Sequence, residues 1–134
     1  MFKRRIEEEL KNWKISTIRK PLVLRGARQV GKTSTVRKFA AENFENFVEI
    51  NLERTDQNRY FRQADTVEEF IKRAEYFTKK VILEGRTLLF LDEIQESFEV
   101  LKLLRFFAEE KPNLHLIAAG SLLEAKMYGK MIPK

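Results

Sequence analysis

The sequence predicts an α/β fold built on a parallel sheet, and three observations carry that expectation. Four short apolar runs, Leu22-Val23-Leu24, Phe47-Val48-Glu49-Ile50-Asn51-Leu52, Leu88-Leu89-Phe90-Leu91 and Leu114-His115-Leu116-Ile117-Ala118-Ala119, have the length and composition of strands. The first, third and fourth are almost uninterrupted, as strands are when a parallel sheet is covered on both faces. Strand starts near 22, 47, 88 and 114 leave room each time for a crossover helix, which parallel neighbours require, so the order reads βαβαβαβ.

Each element has its own justification. The first twenty residues read as a helical prelude, with Ile6, Leu10 and Trp13 spaced i, i+4, i+7 along one face and Trp13 expected as a packing anchor. Residues 21–134 form the core domain. After Lys32, an apolar stripe of Val36, Phe39, Ala40 and Phe44 marks the first crossover helix. Residues 53–65 carry Arg54, Asp56, Gln57, Asn58 and Arg59 with little apolar content, and read as a surface connection. Thr66 with Glu69 three positions on is a capping box, and Val67, Phe70, Ile71, Ala74 and Phe77 follow at helical spacing. Val100, Leu103, Leu104 and Phe107 mark a further helix. No repeat, low-complexity tract or linker interrupts the core. No fifth apolar run follows Ser121-Leu122-Leu123, so the sheet is expected to lack its last strand and the core to be truncated on its C-terminal side.

Composition narrows the function classes. The 134 residues are 43% hydrophobic and 34% charged, which fits one globular domain and excludes disordered and fibrous chains. A chain of this size buries enough surface to fold without a disulfide or metal staple. Cysteine is absent, which removes thiolate zinc sites, cysteine nucleophiles and disulfide frameworks, and fits a reducing compartment. The basic start has no apolar segment behind it, and no run approaches the ~18 residues of a membrane helix, so a soluble cytoplasmic protein is expected. The net charge of +6 is uneven: residues 1–40 hold twelve Lys and Arg against three Glu, and no acid lies between Glu9 and Glu42. Such a block attracts polyanions, whether a nucleotide's phosphates or a nucleic-acid backbone.

The chemistry is concentrated in two motifs. Gly26, Ala27, Arg28, Gln29, Val30, Gly31, Lys32 and Thr33 fit G-x-x-x-x-G-K-[ST], the phosphate-binding P-loop (Walker A), between an expected strand and an expected helix. Glycines let the backbone wrap with its N–H groups turned inward, where they and the helix N-terminus bind phosphate oxygens. Lys32 supplies a point charge for the β and γ phosphates, Thr33 a hydroxyl for Mg²⁺, and Ser34 continues the binding set. Average residue frequencies give a chance match in a chain this long a probability on the order of half a percent. Leu88-Leu89-Phe90-Leu91-Asp92-Glu93 is an apolar strand ending in two carboxylates. A buried strand delivers Asp92 to the carboxyl edge of the sheet, where ligands bind in open α/β folds, as a Walker-B Asp serving Mg²⁺ directly or through water. Glu93 is then placed to polarise an attacking water.

Weaker candidates surround these. Ser121, after the fourth run, is a small polar residue suited either to the γ-phosphate or water, or to capping the next helical stretch. Arg28 and Gln29 at the loop crown, and Gln95, are further phosphate-facing candidates. His115 has no ligand set near it and reads as structural.

Lys20-Pro21-Leu22-Val23-Leu24-Arg25 leading into the P-loop, with Leu-Asp-Glu-Ile-Gln at 91–95 and Ala-Gly-Ser-Leu-Leu at 119–123, resembles the AAA-type P-loop ATPases of bacteria and archaea that carry a C-terminal domain of unknown function. The resemblance implies an additional-strand sheet in which the strand ending at Gly120 lies between the P-loop strand and the Asp92 strand. It also implies Glu93 as the catalytic glutamate, Asp92 as the magnesium residue and Ser121 as a sensor-like residue. Members continue into a fifth strand and a C-terminal domain similar to the restriction-endonuclease fold, a part through which oligomers can form. The expected function is therefore an ATPase core that hydrolyses ATP, with Mg²⁺, to drive conformational change, and that is slow in this stretch alone. The alternatives are a nucleic-acid-binding module regulated by nucleotide, with DNA or a protein as partner, and a P-loop kinase. The Asp-Glu pair suits water as nucleophile better than a phosphoacceptor, and the guanine-reading Asn-Lys-x-Asp pattern of GTPases is absent.

Overall fold

A computed structural model describes residues 2–16, 21–25 and 31–120. Its elements run α1 (Phe2–Ile15), β1 (Leu22–Arg25), α2 (Lys32–Asn43), β2 (Asn46–Asn51), α3 (Thr55–Phe61), α4 (Val67–Thr78), β3 (Thr87–Asp92), a 3-10 turn (Ile94–Glu96), α5 (Phe98–Glu110) and β4 (His115–Gly120). The four strands form one sheet in the order β1-β4-β3-β2, every pair parallel. The α/β class read from the sequence is the class observed, and β4 lies between β1 and β3 as the resemblance implied.

Side-chain alternation divides the core into two layers. Leu89 and Leu91 of β3 and Leu116 and Ala118 of β4 face a large cluster filled by Phe61, Phe70, Leu104 and Phe107 from α3, α4 and α5. Leu88, Phe90, Ile117 and Ala119 face the other way, onto Val36, Phe39 and Ala40 of α2 and Leu10 and Trp13 of α1. A strand alternates with period two, so a strand covered on both sides must be apolar throughout. All six residues of β3 and of β4 are buried, which is why those runs were so legible. His115 packs edge-on against Trp13 and Phe44, and its Nε2 lies 3.2 Å from the Lys14 carbonyl oxygen, a structural placement.

Two local readings are corrected. The surface connection expected over residues 53–65 contains α3. Seven residues are too short to show a helical period, and the helix is held by tertiary contacts. Phe61 is fully buried, with Phe70 and Phe77 ring centroids at 5.0 and 5.5 Å. Asn58 Nδ2 donates to the carbonyls of Leu52 (2.9 Å) and Glu96 (2.7 Å). At α4, the Thr66 hydroxyl accepts from the Glu69 amide at 3.1 Å as expected, but Glu69 Oε1 reaches the amide of Asp65 rather than that of Thr66. The reciprocal half of the capping box is shifted by one residue.

β2 is an edge of the described sheet. The Leu52 amide bonds the Asp92 carbonyl, so the odd-numbered residues of β2 turn their backbone outward. Lys80 Nζ closes the Phe47 carbonyl at 2.8 Å, and Gln57 Oε1 closes the Asn51 amide at 2.9 Å. Side chains thus blunt an edge that would otherwise invite another strand.

Candidate functional site

The site forms where the N-terminus of α2 crosses the carboxyl ends of β3 and β4. α2 begins after Gly31, whose φ of 80° and ψ of 26° lie in the left-handed region. A Cβ there would meet only the Ser34 hydroxyl oxygen at 3.6 Å, so backbone conformation rather than space calls for glycine. Among the described residues no side chain caps the start of α2, and its first residues are Lys32, Thr33 and Ser34. Ser34 is exposed and its hydroxyl donates to the Gly31 carbonyl at 3.2 Å.

Two hydrogen bonds fix this helix end over the sheet. The Lys32 side chain is buried and its ammonium donates to the Gly120 carbonyl at 2.5 Å, at the end of β4. The Thr33 hydroxyl donates to Asp92 Oδ2 at 2.8 Å, at the end of β3. Residues 59 positions apart are thereby joined, the Thr33 hydroxyl to one of the two carboxylates in the apolar-strand motif. The other oxygen of Asp92, Oδ1, accepts from the Glu93 amide at 3.0 Å.

Burial pushes the Asp92 carboxyl above the ordinary aspartate range. The Thr33 hydroxyl and the Glu93 amide pull it back, while the nearby Glu93 and Glu49 carboxylates add to the rise. A desolvated carboxylate beside an uncharged hydroxyl is a hard-oxygen pair, the donor type that Mg²⁺ takes. Among the described residues no group of three or more His, Asp or Glu gathers into a metal cage. Mg²⁺ needs none, since it keeps several waters and takes phosphate oxygens beside one or two protein ligands.

Glu93 has φ 54° and ψ 50°, a left-handed conformation uncommon for a residue with a side chain. Its carboxylate Oε1 accepts from Gln95 Nε2 at 2.8 Å. Sequence reasoning did not find two neighbours. Arg37 lies one helical turn beyond Thr33 and pairs through both guanidinium arms with Glu49 of β2, at 2.8 and 2.7 Å. Asn51, at the carboxyl end of β2, stands in register with Asp92. The signals were present, an i, i+4 spacing from Thr33 and a polar residue ending an apolar run, but neither is specific without the sheet order.

The structure thus brings together Gly31, Lys32, Thr33, Asp92 and Glu93, with Ser34 on the exposed side of the same helix end. Gly26, Ala27, Arg28, Gln29, Val30 and Ser121 lie outside the described residues. A cleft of about 620 Å³ between α3 and α4, lined by Tyr60, Gln63, Asp65, Glu69, Lys72 and Arg73, shares no residue with this site. No described helix is long and apolar enough to cross a membrane.

Comparison with known proteins agrees with this architecture. The Orc1 protein of Aeropyrum pernix, solved in complex with DNA, superposes with a TM-score of 0.54 at 17% identity, covering 98% of this chain and 42% of that one. PCH-2 of C. elegans superposes with a TM-score of 0.50 at 16% identity, covering 88% of this chain and 34% of the other. At these identities the likeness is one of fold, and the chain spans less than half the length of either. No curated protein matches the sequence closely enough to count as a relative. The model of a family described as an AAA domain matches residues 18–130, and the chain belongs to that family.

Proposed function

We propose that this chain binds ATP with Mg²⁺ at the α2 N-terminus and hydrolyses it to ADP and phosphate, coupling the nucleotide's state to conformational change. The observation that supports this best is the 2.8 Å bond from Thr33 to Asp92, which joins the P-loop hydroxyl to the carboxylate ending β3. Two motifs far apart in sequence meet at one point, the point at which a nucleotide's metal is held in P-loop proteins.

The chain's residues divide the work by chemical type. Backbone amides of the loop and of the α2 start bind phosphate oxygens, helped by the partial positive charge of a helix N-terminus. Lys32, whose ammonium carries three donors, adds full charge beside the β and γ phosphates. Thr33 and Asp92 would hold Mg²⁺, which would supply positive charge against the phosphates. Glu93 accepts the proton of the attacking water as its oxygen bonds the γ-phosphorus and the bond to the bridging oxygen of ADP breaks. Ser121, directly after β4, is the proposed contact to the γ-phosphate or the water.

The nucleic-acid reading has less support from the side chains. Within the basic block, Arg37 is engaged by Glu49 and Lys38 lies 3.6 Å from Glu7, so part of its charge is neutralised in place. The test is thermal. A ligand at a hundred times its dissociation constant raises stability by about 2.7 kcal/mol, and Mg-ATP should do so for the wild type but not for Lys32→Ala. Equal shifts in both proteins place the nucleotide elsewhere.

A further inference from the structure

We propose that Gln95 is a positioning residue that aims the Glu93 carboxylate. The inference rests on the ATPase reading and deepens it at one side chain that the motifs leave without a role. β3 ends at Asp92, the chain turns through the left-handed Glu93, and the 3-10 turn follows at once, with the Glu96 amide bonded to the Glu93 carbonyl at 3.0 Å. That turn is pinned from two sides. Ile94 is fully buried in the larger core cluster, and the Glu96 carbonyl accepts from Asn58 Nδ2 of α3 at 2.7 Å. Gln95 therefore projects from a fixed platform, and its Nε2 donates to Glu93 Oε1 at 2.8 Å.

The residue type matters as much as the distance. An ionised carboxylate only accepts hydrogen bonds, so the amide must turn its nitrogen toward Glu93. A glutamate has three rotatable side-chain bonds, and one anchored oxygen sets the orientation of the other. A neutral amide anchors the carboxylate without placing a charge beside it. Positioning of this kind is worth a good deal, since misplacing a reacting group by about 1 Å can cost on the order of 100-fold in rate.

The experiment compares wild type, Gln95→Ala, Gln95→Glu, Glu93→Gln and the Gln95→Ala/Glu93→Gln double variant in single-turnover ATP hydrolysis with Mg²⁺. ATP affinity and Tm are measured on each protein. Gln95→Ala should keep wild-type affinity and Tm while its turnover falls about 10- to 100-fold. Gln95→Glu should fall further, since a second carboxylate repels the first. Added to Glu93→Gln, Gln95→Ala should cost nothing more, because the group it aims is gone. Unchanged turnover in Gln95→Ala, or the same fractional loss on both backgrounds, overturns the positioning role and leaves the ATPase reading standing. Absence of turnover in wild type, or turnover indifferent to Glu93→Gln, overturns the ATPase reading itself, and the role of Gln95 falls with it.

Discussion

Lys79 and Glu93 share one unusual backbone conformation, with φ of 60° and 54°, and they reached it for different reasons. A residue with a Cβ gives up about 1–2 kcal/mol in this region relative to the right-handed one. Lys79 ends α4: its amide returns to the Glu75 carbonyl at 2.9 Å, and its ammonium rests in solvent 4.3 Å from the Tyr76 ring centroid. Glycine would stop that helix at least as well. Glu93 directly follows β3, where its amide serves Asp92 and its carboxylate is held by Gln95. Strain at the helix end solves a problem of chain direction; strain at the strand end keeps a particular side chain in place. The same dihedral angle is informative about function only once its hydrogen bonds are known.

Substituting glycine at both positions separates the two cases. Glu93→Gly relaxes the backbone yet should lower ATP turnover on the order of 10²- to 10⁴-fold, the range expected when a general base is removed. Its Tm should stay level or rise, and a Tm loss of several degrees would mean that the glutamate is there for the fold.

Next comes Asp92, which the left-handed turn serves through the Glu93 amide. Its folded-state pKa lies above the ordinary value, so its contribution to stability is most favourable at low pH and is lost as pH rises through the raised value. Asn cannot ionise. In metal-free buffer, the Tm of Asp92→Asn minus that of wild type should therefore grow as pH rises above the ordinary aspartate value of about 4. A difference that is flat with pH would show that Asp92 is not desolvated as its burial indicates.

The smallest effect belongs to Lys79→Gly. Relief of the left-handed penalty, less the entropy of glycine and the lost contact to Tyr76, leaves a gain of a few tenths to about 1 kcal/mol. Thermal melting should detect it, with turnover unchanged; a fall in turnover would break the contrast between the two turns.

Much of this site was legible because its parts obey local rules. The P-loop pattern is written in consecutive residues, and the Asp-Glu pair follows an apolar strand long enough to be recognised alone. The helix over residues 55–61 was not legible. It spans about two turns, and its reason for existing is Phe61, buried among rings from α4. Gln95 was read from the sequence only as a weaker phosphate-facing candidate. Its bond to Glu93 depends on the left-handed turn between them, which no composition or spacing rule announces.

The sequence by itself determined the class of the fold, the order of its four strands along the chain and the presence of a P-loop pattern. Those follow from period-two and period-3.6 burial and from the few residue types that can wrap or charge a phosphate site. Only the tertiary structure decided that Thr33 meets Asp92, that Lys32 meets the end of β4, and that Glu93 is gripped by Gln95. Hydrogen bonds are made over about 3 Å, and a distance that short is set by strand order, register and helix placement together. Residues far apart in the chain acquire it only when the whole sheet has closed its pairs.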